Sequence, residues 1–581
     1  MKYLFTLALF VACSVFGATL PTENIIDWTP GTYTGVPGGI DQYLPGGANQ
    51  RTHLIDATAS PYFADNTGAT DTRTNIQNAL TAATNGQVVY LPPGTYTLGG
   101  QLNHTKDRTT LRGAGASTIL SYTHAGTALF VGSSTDYGWA YPNTNTWASA
   151  ILTNGQTVIP MADTSSFSTG KLARLAWLNS TNADEPIIAV GNYQFLRRQI
   201  VLITAKDAGS LTVFPPVYSG YETNCRVNLA QQQGDFIGIE DLVIDGTAGS
   251  LQYGVWMEQC YGSWIKGVHF KNGKNFGMFI YDSLNCEVRR CFIDYRNNTG
   301  SNGGGVLHNT SSGSLVEDNI IYHYFPGIEV NHGSSGNAFS YNYVWDTTGA
   351  ALDSNHGPHN TFNLYEGNIT PNLQSDGYYG SSSRHTLFRN WIHGNTPTAT
   401  NSFQISLNRF ARKYQLVGNL LGTAVNAGRY NYGYPNMGNG FYTGEAQPTA
   451  GDWWDDWADY VGGTYTNGSS GFQELDLDVE FTTTNRVNYL FGTGIPAGEA
   501  IGGDTLRSSL IYTSAPDWFA GFAWPPFDPE NVTVENFTSM IVTNGPGKIP
   551  AHQAWLNGGT WQTQRRATAG TVNVGTLNIA P

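Results

Sequence analysis

Between residues 236 and 425 the chain repeats itself, and a repeat of this length leaves few folds open. With the position two before a core aliphatic as anchor, the anchors are Leu242, Val268, Cys291, Asn319, Asn342, Asn368, Asn390 and Asn419. They are spaced by 26, 23, 28, 23, 26, 22 and 29 residues, and the last five are asparagine. A second column, Asn337, Asn363 and His385, lies five residues before its anchor. This period admits solenoids. The leucine-rich pattern is absent, and no helical stretch fits inside a unit. Short strands between Gly and Ser turns fit stacked parallel coils, in which asparagine side chains hydrogen-bond up the stack at about 4.8 Å per coil. The predicted fold is all-β, a right-handed single-stranded parallel β-helix.

The flanks divide around that repeat. Met1-Lys2-Tyr3, the apolar run Leu4 to Phe16 and small Gly17 and Ala18 read as a signal peptide over 1–17. The expected location is therefore secreted, periplasmic or extracellular, with no membrane span. Residues 18–65 form an irregular leader. Residues 66–136 hold a short capping helix and the first coils, with Ile76, Ala79, Leu80 and Ala83 on one helix face and Gly86 past its end. Residues 137–222 read as a small inserted β domain with hairpin turns. The main helix covers 223–425. The segment 426–581 is Trp-rich, with Trp453-Trp454-Asp455-Asp456-Trp457 and Trp518 to Trp524. It is read as an irregular cap over the C-terminal end of the stack.

A net charge of −14 excludes nucleic acid as the natural partner. Charged residues are only 12%, yet Arg384, Arg389, Arg409, Arg412 and Lys413 cluster, which would suit an anionic ligand. Beyond the leader, Cys225, Cys260, Cys286 and Cys291 read as buried thiols, without zinc spacing.

The segment Gly68-Ala69-Thr70-Asp71-Thr72 through Ile76-Gln77-Asn78-Ala79-Leu80 to Val89-Tyr90-Leu91-Pro92-Pro93-Gly94-Thr95-Tyr96, with Thr109-Thr110-Leu111-Arg112-Gly113-Ala114-Gly115, resembles the cap and first strands of the pectate-lyase-like superfamily, rhamnogalacturonase-like members included. The resemblance covers about 65 to 425, less the insertion. It implies the β-helix fold and a carbohydrate-active protein. The superfamily holds lyases, hydrolases, epimerases and tailspikes, so it does not choose the reaction. Of the Asn-Thr-Asp, Asp-Asp and Gly-His-Gly groups of polygalacturonase-type hydrolases, Asn331-His332-Gly333 and Asn355-His356-Gly357 resemble only the last, and the paired aspartates are missing.

Period arithmetic supplies the candidates. His308, His332 and His356 are 24 residues apart, Glu329 and Asp353 also 24, and Asp353 and Asp376 23. Each set is expected to form a column. Glu329, Asp353, Asp376, His332 and His356 are the candidate catalytic residues. His308, His359, Arg384, His385 and Arg389 are the candidate substrate contacts. Stacked carboxylates oppose each other, so one holds a proton or a cation sits between them. A raised pKa suits the general acid of a glycoside hydrolase, which needs no cofactor. Calcium would instead serve a lyase acting by β-elimination on a uronate. The expected partner is a polysaccharide, with an anionic one open, and the protein is expected to be a monomer. Hydrolase stands slightly ahead of lyase. A non-catalytic glycan binder stays open.

Overall fold

The computed structural model describes residues 22–133, 147–178, 195–221, 224–230, 232–295, 304–324, 326–347, 350–356, 359–375, 381–394, 404–408, 411–423, 427–434, 482–499, 506–532 and 548–557. The expected signal peptide, Trp453–Trp457, Arg409 and Asp376 lie outside them.

Each coil carries three short strands. Leu315–Glu317 lies on a first face, Ile320–Tyr322 on a second and Ile328–Asn331 on a third. Each pairs in parallel with its counterpart one coil on, Ala338–Ser340, Tyr343–Trp345 and Leu352–Asp353. The stack is a parallel β-solenoid of about 11 turns, as the repeat predicts. Side chains alternate in and out along each strand. The inward set, among them Val316, Phe339, Tyr365, Ile321, Val344, Ile328, Val330 and Leu352, forms one continuous buried core.

The first-to-second corner explains the asparagine anchors. One residue with positive φ turns the chain (Asp318, Tyr341, Gly367, Arg389 and Gly418), and the anchor follows it. So tight a corner leaves backbone groups without strand partners, and the amide supplies them. Asn342 Nδ2 donates to Asn368 Oδ1 at 3.0 Å and to the Val316 carbonyl one coil back at 2.9 Å. The Asn342 backbone N–H donates to the same Oδ1 at 2.9 Å. The pattern runs from Asn319 to Asn419, continues at Asn488, and ends where Asn488 N–H and Nδ2 both donate to Glu499. The second column forms as well. Asn337 Nδ2 donates to Asn363 Oδ1, and Asn363 N–H donates to His385 Nδ1 at 3.0 Å.

The stack reaches past the boundary at 425, because Thr484–Arg486 and Tyr489–Leu490 add another coil. The helix Arg73–Ala82 buries Ile76, Ala79 and Leu80 in the same core as the first strands. Cys225, Cys260, Cys286 and Cys291 are buried free thiols. No helix among the described residues is long and apolar enough to cross a membrane.

Two faces carry covers. The leader packs on the first face: Trp28 Nε1 donates to the Phe362 carbonyl at 2.8 Å, and Val36 N–H donates to Glu287. Of the C-terminal segment, Thr484–Arg486 and Tyr489–Leu490 form a coil at the end of the stack, and residues 506–532 and 548–557 lie along its flank. Trp518, Phe519 and Trp524 pack around Tyr341, and Trp555 meets Phe292, Tyr322 and Tyr343. The cause is the outward row of the second face. Phe292, Ile320, Tyr343, Ile369, Trp391 and Leu420 are apolar and gain from burial.

The insertion is a five-stranded antiparallel sheet. Its strands are Val158–Pro160, Leu172–Trp177, Arg197–Lys206, Ser210–Phe214 and Arg226–Leu229, the last beyond the expected boundary at 222. It seats beside the third face, where Ile200 N–H donates to Ser312 Oγ and Arg198 Nη1 to Thr310 Oγ1.

Candidate functional site

The third face carries a row of outward residues whose chemistry changes along the axis. Register gives it in order as Phe130, Trp256, Phe279, Leu307, Glu329, Asp353, Gln374 and Ser406. The first half is aromatic and aliphatic, and the second is acidic and polar. A parallel row, two residues further along each strand, holds Glu258, Tyr281, Asn309 and Asn331.

Glu329 and Asp353 are direct partners on adjacent coils. Sheet spacing puts their Cα atoms about 4.8 Å apart. Both are flanked by buried inward residues (Ile328 and Val330 for Glu329, Leu352 for Asp353), which fixes the carboxyls outward. Asn331 Nδ2 donates to Glu329 Oε1 at 2.6 Å, and Asn355 N–H donates to Asp353 Oδ1 at 3.0 Å. Next on the row after Asp353 is Gln374.

The three-histidine column does not form. The coil from Val306 to Ile328 advances 22 residues, not 24, so His308 pairs with Val330 and turns inward. It is fully buried against Phe339, and burial pushes its imidazole down to about 3. No hydrogen bond reaches either ring nitrogen among the described residues. His308 is a core residue and not a substrate contact. His332 sits in the turn after Asn331 with φ 51°, its Nδ1 3.3 Å from Asn309 Oδ1. Burial, reinforced by Arg198 and then His356, holds it neutral with a pKa of about 3. His356 N–H donates to the Val330 carbonyl at 3.2 Å, at the same turn.

The other predicted contacts disperse. His385 is fully buried as the last rung of the second column, so its role is to satisfy backbone. Arg389 faces the opposite side of the coil. It donates to the carbonyls of Arg507, Phe527 and Leu506, anchoring the C-terminal segment. Arg384 lies at a corner over the Phe362 ring and donates to Ser383 Oγ. His359 accepts from Arg197 Nε at 3.3 Å, against the insertion. Neither Arg384 nor Arg389 therefore lines the row.

Several site residues escape sequence reading. Tyr253, Trp256, Phe276, Phe279 and Tyr281 form a continuous ring cluster. Beside it, the Glu258 carboxyl is raised to about 7 by burial and then by Asp282, with the Trp256 indole acting the other way. Asp282 pairs with Arg174 of the insertion at 3.2 Å. Counting the period backwards from Glu329 would have reached Phe279 and Trp256, but these coils lack the asparagine that marks the register. No group of three or more His, Cys, Asp or Glu among the described residues is placed to hold a metal ion.

The solenoid and its site define a class of protein. Residues 59–291 match the family described as rhamnogalacturonase A/epimerase, pectate lyase-like, and residues 223–365 match the right handed beta helix region. Over those residues the chain is similar to pectate-lyase-like proteins, and its described fold is a β-solenoid. No curated protein matches it. Among solved structures it is similar to the tailspike gp61 of Pseudomonas phage phi297, at 9% identity and a TM-score of 0.47, covering 64% of this chain and 65% of that one. The chain thus spans slightly less than two thirds of that tailspike's length. It is also similar to the AlgE4 A-module, a mannuronan C-5 epimerase of Azotobacter vinelandii (15% identity, TM-score 0.32, covering 67% of this chain and 92% of that one). A third is the alginate lyase of Paenibacillus sp. (12% identity, TM-score 0.33, covering 66% and 97%). At these identities and scores the likenesses do not bear on chemistry.

Proposed function

We propose that the protein is a carbohydrate-active enzyme that hydrolyses glycosidic bonds in a polysaccharide lying along the third face. The observation that carries this reading is the in-register pairing of Glu329 with Asp353 on that face. Retaining glycosidases hold two carboxyls about 5 Å apart, one as acid and one as nucleophile. Neighbouring strands in register supply that spacing without further adjustment.

Such a pair divides the work between an acid and a nucleophile. Asp353, held by the Asn355 backbone N–H, is assigned the nucleophile. Glu329, oriented by Asn331, is assigned the general acid that protonates the departing oxygen and later activates water. No metal is used in this scheme. The matched family description, which names a rhamnogalacturonase, agrees with polysaccharide as the substrate class.

The test is product analysis on a panel of neutral and acidic polysaccharides. Hydrolysis gives new reducing ends without the absorbance of an unsaturated product near 235 nm, an approximate handle on elimination. Asp353→Asn should lower kcat by about 10³-fold or more, and Glu329→Gln by about 10²-fold or more. With an activated aryl leaving group, Glu329→Gln should recover its first step whereas Asp353→Asn should not. Unsaturated ends would replace hydrolase by lyase. Full activity in both variants would remove this pair from the mechanism.

A further inference from the structure

Asn309 has no part in the bond-breaking just described. It stands in the row parallel to the carboxyls, between Tyr281 and Asn331 on successive coils. On its strand Val306 and His308 turn into the core, so the Asn309 side chain faces outward and is partly exposed. One coil along the axis and two residues along the strand separate it from Glu329, a diagonal of about 8 Å between Cα atoms. A sugar unit next to the cut bond can bridge that distance.

The amide of Asn309 is held by its oxygen. Thr310 Oγ1 lies 3.2 Å from Asn309 Oδ1 and 3.0 Å from the His332 carbonyl, so its single proton serves those two acceptors. Arg198 Nη1 of the insertion donates to the same hydroxyl at 3.1 Å, which leaves the hydroxyl proton to them. His332 Nδ1 stands 3.3 Å from Asn309 Oδ1, and because an amide oxygen only accepts, the neutral ring carries its proton on Nδ1. Both contacts fall on the oxygen. Nδ2 makes no hydrogen bond with the described residues, so two N–H donors remain at the surface of the third face. An amide fixed in advance from the next turn and from the insertion binds without the cost of ordering a loose side chain.

We infer that Asn309 is a substrate-binding residue that donates from Nδ2 to an oxygen of the sugar unit beside the bond that is cut, and that His332 and Arg198 are positioning residues that fix its amide. The inference rests on the reading of Glu329 and Asp353 as the cleaving pair. An N–H donor takes a hydroxyl or a carboxylate oxygen alike, so the ligand is defined by an acceptor oxygen at that place. His332 thereby gains a part in the site that is neither acid nor base, and the insertion gains a part in recognition.

The experiment is native affinity electrophoresis of the full chain carrying Asp353→Asn, in gels cast with galactan, arabinan, xylan, polygalacturonate or alginate. The expected result is retardation by at least one of the five, with its neutral or acidic class giving the source of the oxygen. Adding Asn309→Ala should raise the apparent Kd for that polymer about tenfold. If that variant fails to fold, Asn309→Asp keeps the size, loses the donor and is read the same way. His332→Ala should raise the Kd by itself and add nothing once Asn309 is replaced, a coupling that a merely structural turn does not produce. His332→Asn offers an N–H near the place of Nδ1, tolerates the φ of 51° and should restore the parent Kd. Arg198→Ala should couple to Asn309 in the same way. No retardation by any of the five polymers, or an unchanged Kd in the Asn309 variants, overturns the contact. Losses from His332→Ala and Arg198→Ala that persist in full without Asn309 overturn the positioning roles. Cleavage by the Asp353→Asn protein would instead remove the catalytic pair, while a Kd raised by Asn309→Ala would leave the contact standing.

Discussion

Glu366 shows how a single side chain couples this fold to pH. Its carboxyl is 1% exposed and accepts from Tyr341 OH at 2.6 Å, from Leu510 N–H at 2.8 Å and from the Ser509 hydroxyl. Burial raises its pKa from the ordinary 4.5 to about 7 despite these donors. A carboxyl raised on folding stabilises the protein in full below its unfolded pKa, and that contribution fades as pH climbs through the folded value. Raising pH from about 5 to about 8 should therefore lower the denaturation midpoint. It should also speed proteolysis within 506–532, the segment that Glu366 holds. Glu366→Gln should flatten both dependences, and an unchanged pH slope would rule the residue out as their source. No sequence pattern marks this residue, because its partners Ser509 and Leu510 are 143 and 144 positions away.

At the scale of the element, the asparagine column was legible in advance because each rung makes the same demand. From Asn319 to Asn419 the corner, one positive-φ residue and one strand-end residue, is filled by an amide that both gives and takes along the axis, whereas Leu242, Val268 and Cys291 follow Asp241, Gly267 and Arg290 at the same corner without one. Asn368 accepts from Asn342 N–H and Nδ2 and donates to Asn390 Oδ1 and the Phe339 carbonyl. Asn368→Ala strands several of these buried groups, which should cost roughly 3–5 kcal/mol in chemical denaturation. A loss below about 1 kcal/mol would mean that water replaces the amide. The functional row was only partly legible because it makes a different demand on every coil: Trp256, Phe279, Leu307, Glu329, Asp353 and Gln374 share a position but no chemistry. Counting residues found Glu329 with Asp353, whose coil is 24 long, and misplaced His308, whose coil is 22 long. Coil length varies in the loops between faces, so a shared spacing becomes a shared position only where the loops agree.

For the whole molecule, the division of labour among faces follows from what each outward row must hide. The second face is apolar from Phe292 to Leu420 and recruits the C-terminal segment. The first face carries ionic groups, among them Glu287, Arg289 and Glu317, and takes the leader, whose Asp41 lies 3.7 Å from Arg289. The third face carries the mixed row and, among the described residues, has the insertion at its side. The described covers thus specify the site indirectly, by where they are not needed. That logic is invisible in the repeat itself, which treats the three faces alike, and it depends on contacts between segments hundreds of residues apart.

A stack of identical corners has no intrinsic reason to stop, and its last coil offers a template on which a second molecule can add head to tail. Glu499 answers that hazard. It stands where the next asparagine would, taking the Asn488 N–H and Nδ2 and also the Tyr430 hydroxyl. An ionised carboxylate only accepts, so the chain of amides is received and not passed on. Restoring an amide with Glu499→Gln should keep the column satisfied while giving its end a donor again. The consequence is an assembly defect rather than a folding one: concentration-dependent end-to-end oligomers in sedimentation, with denaturation midpoint nearly unchanged. A strictly monomeric variant would show that the stack is ended elsewhere.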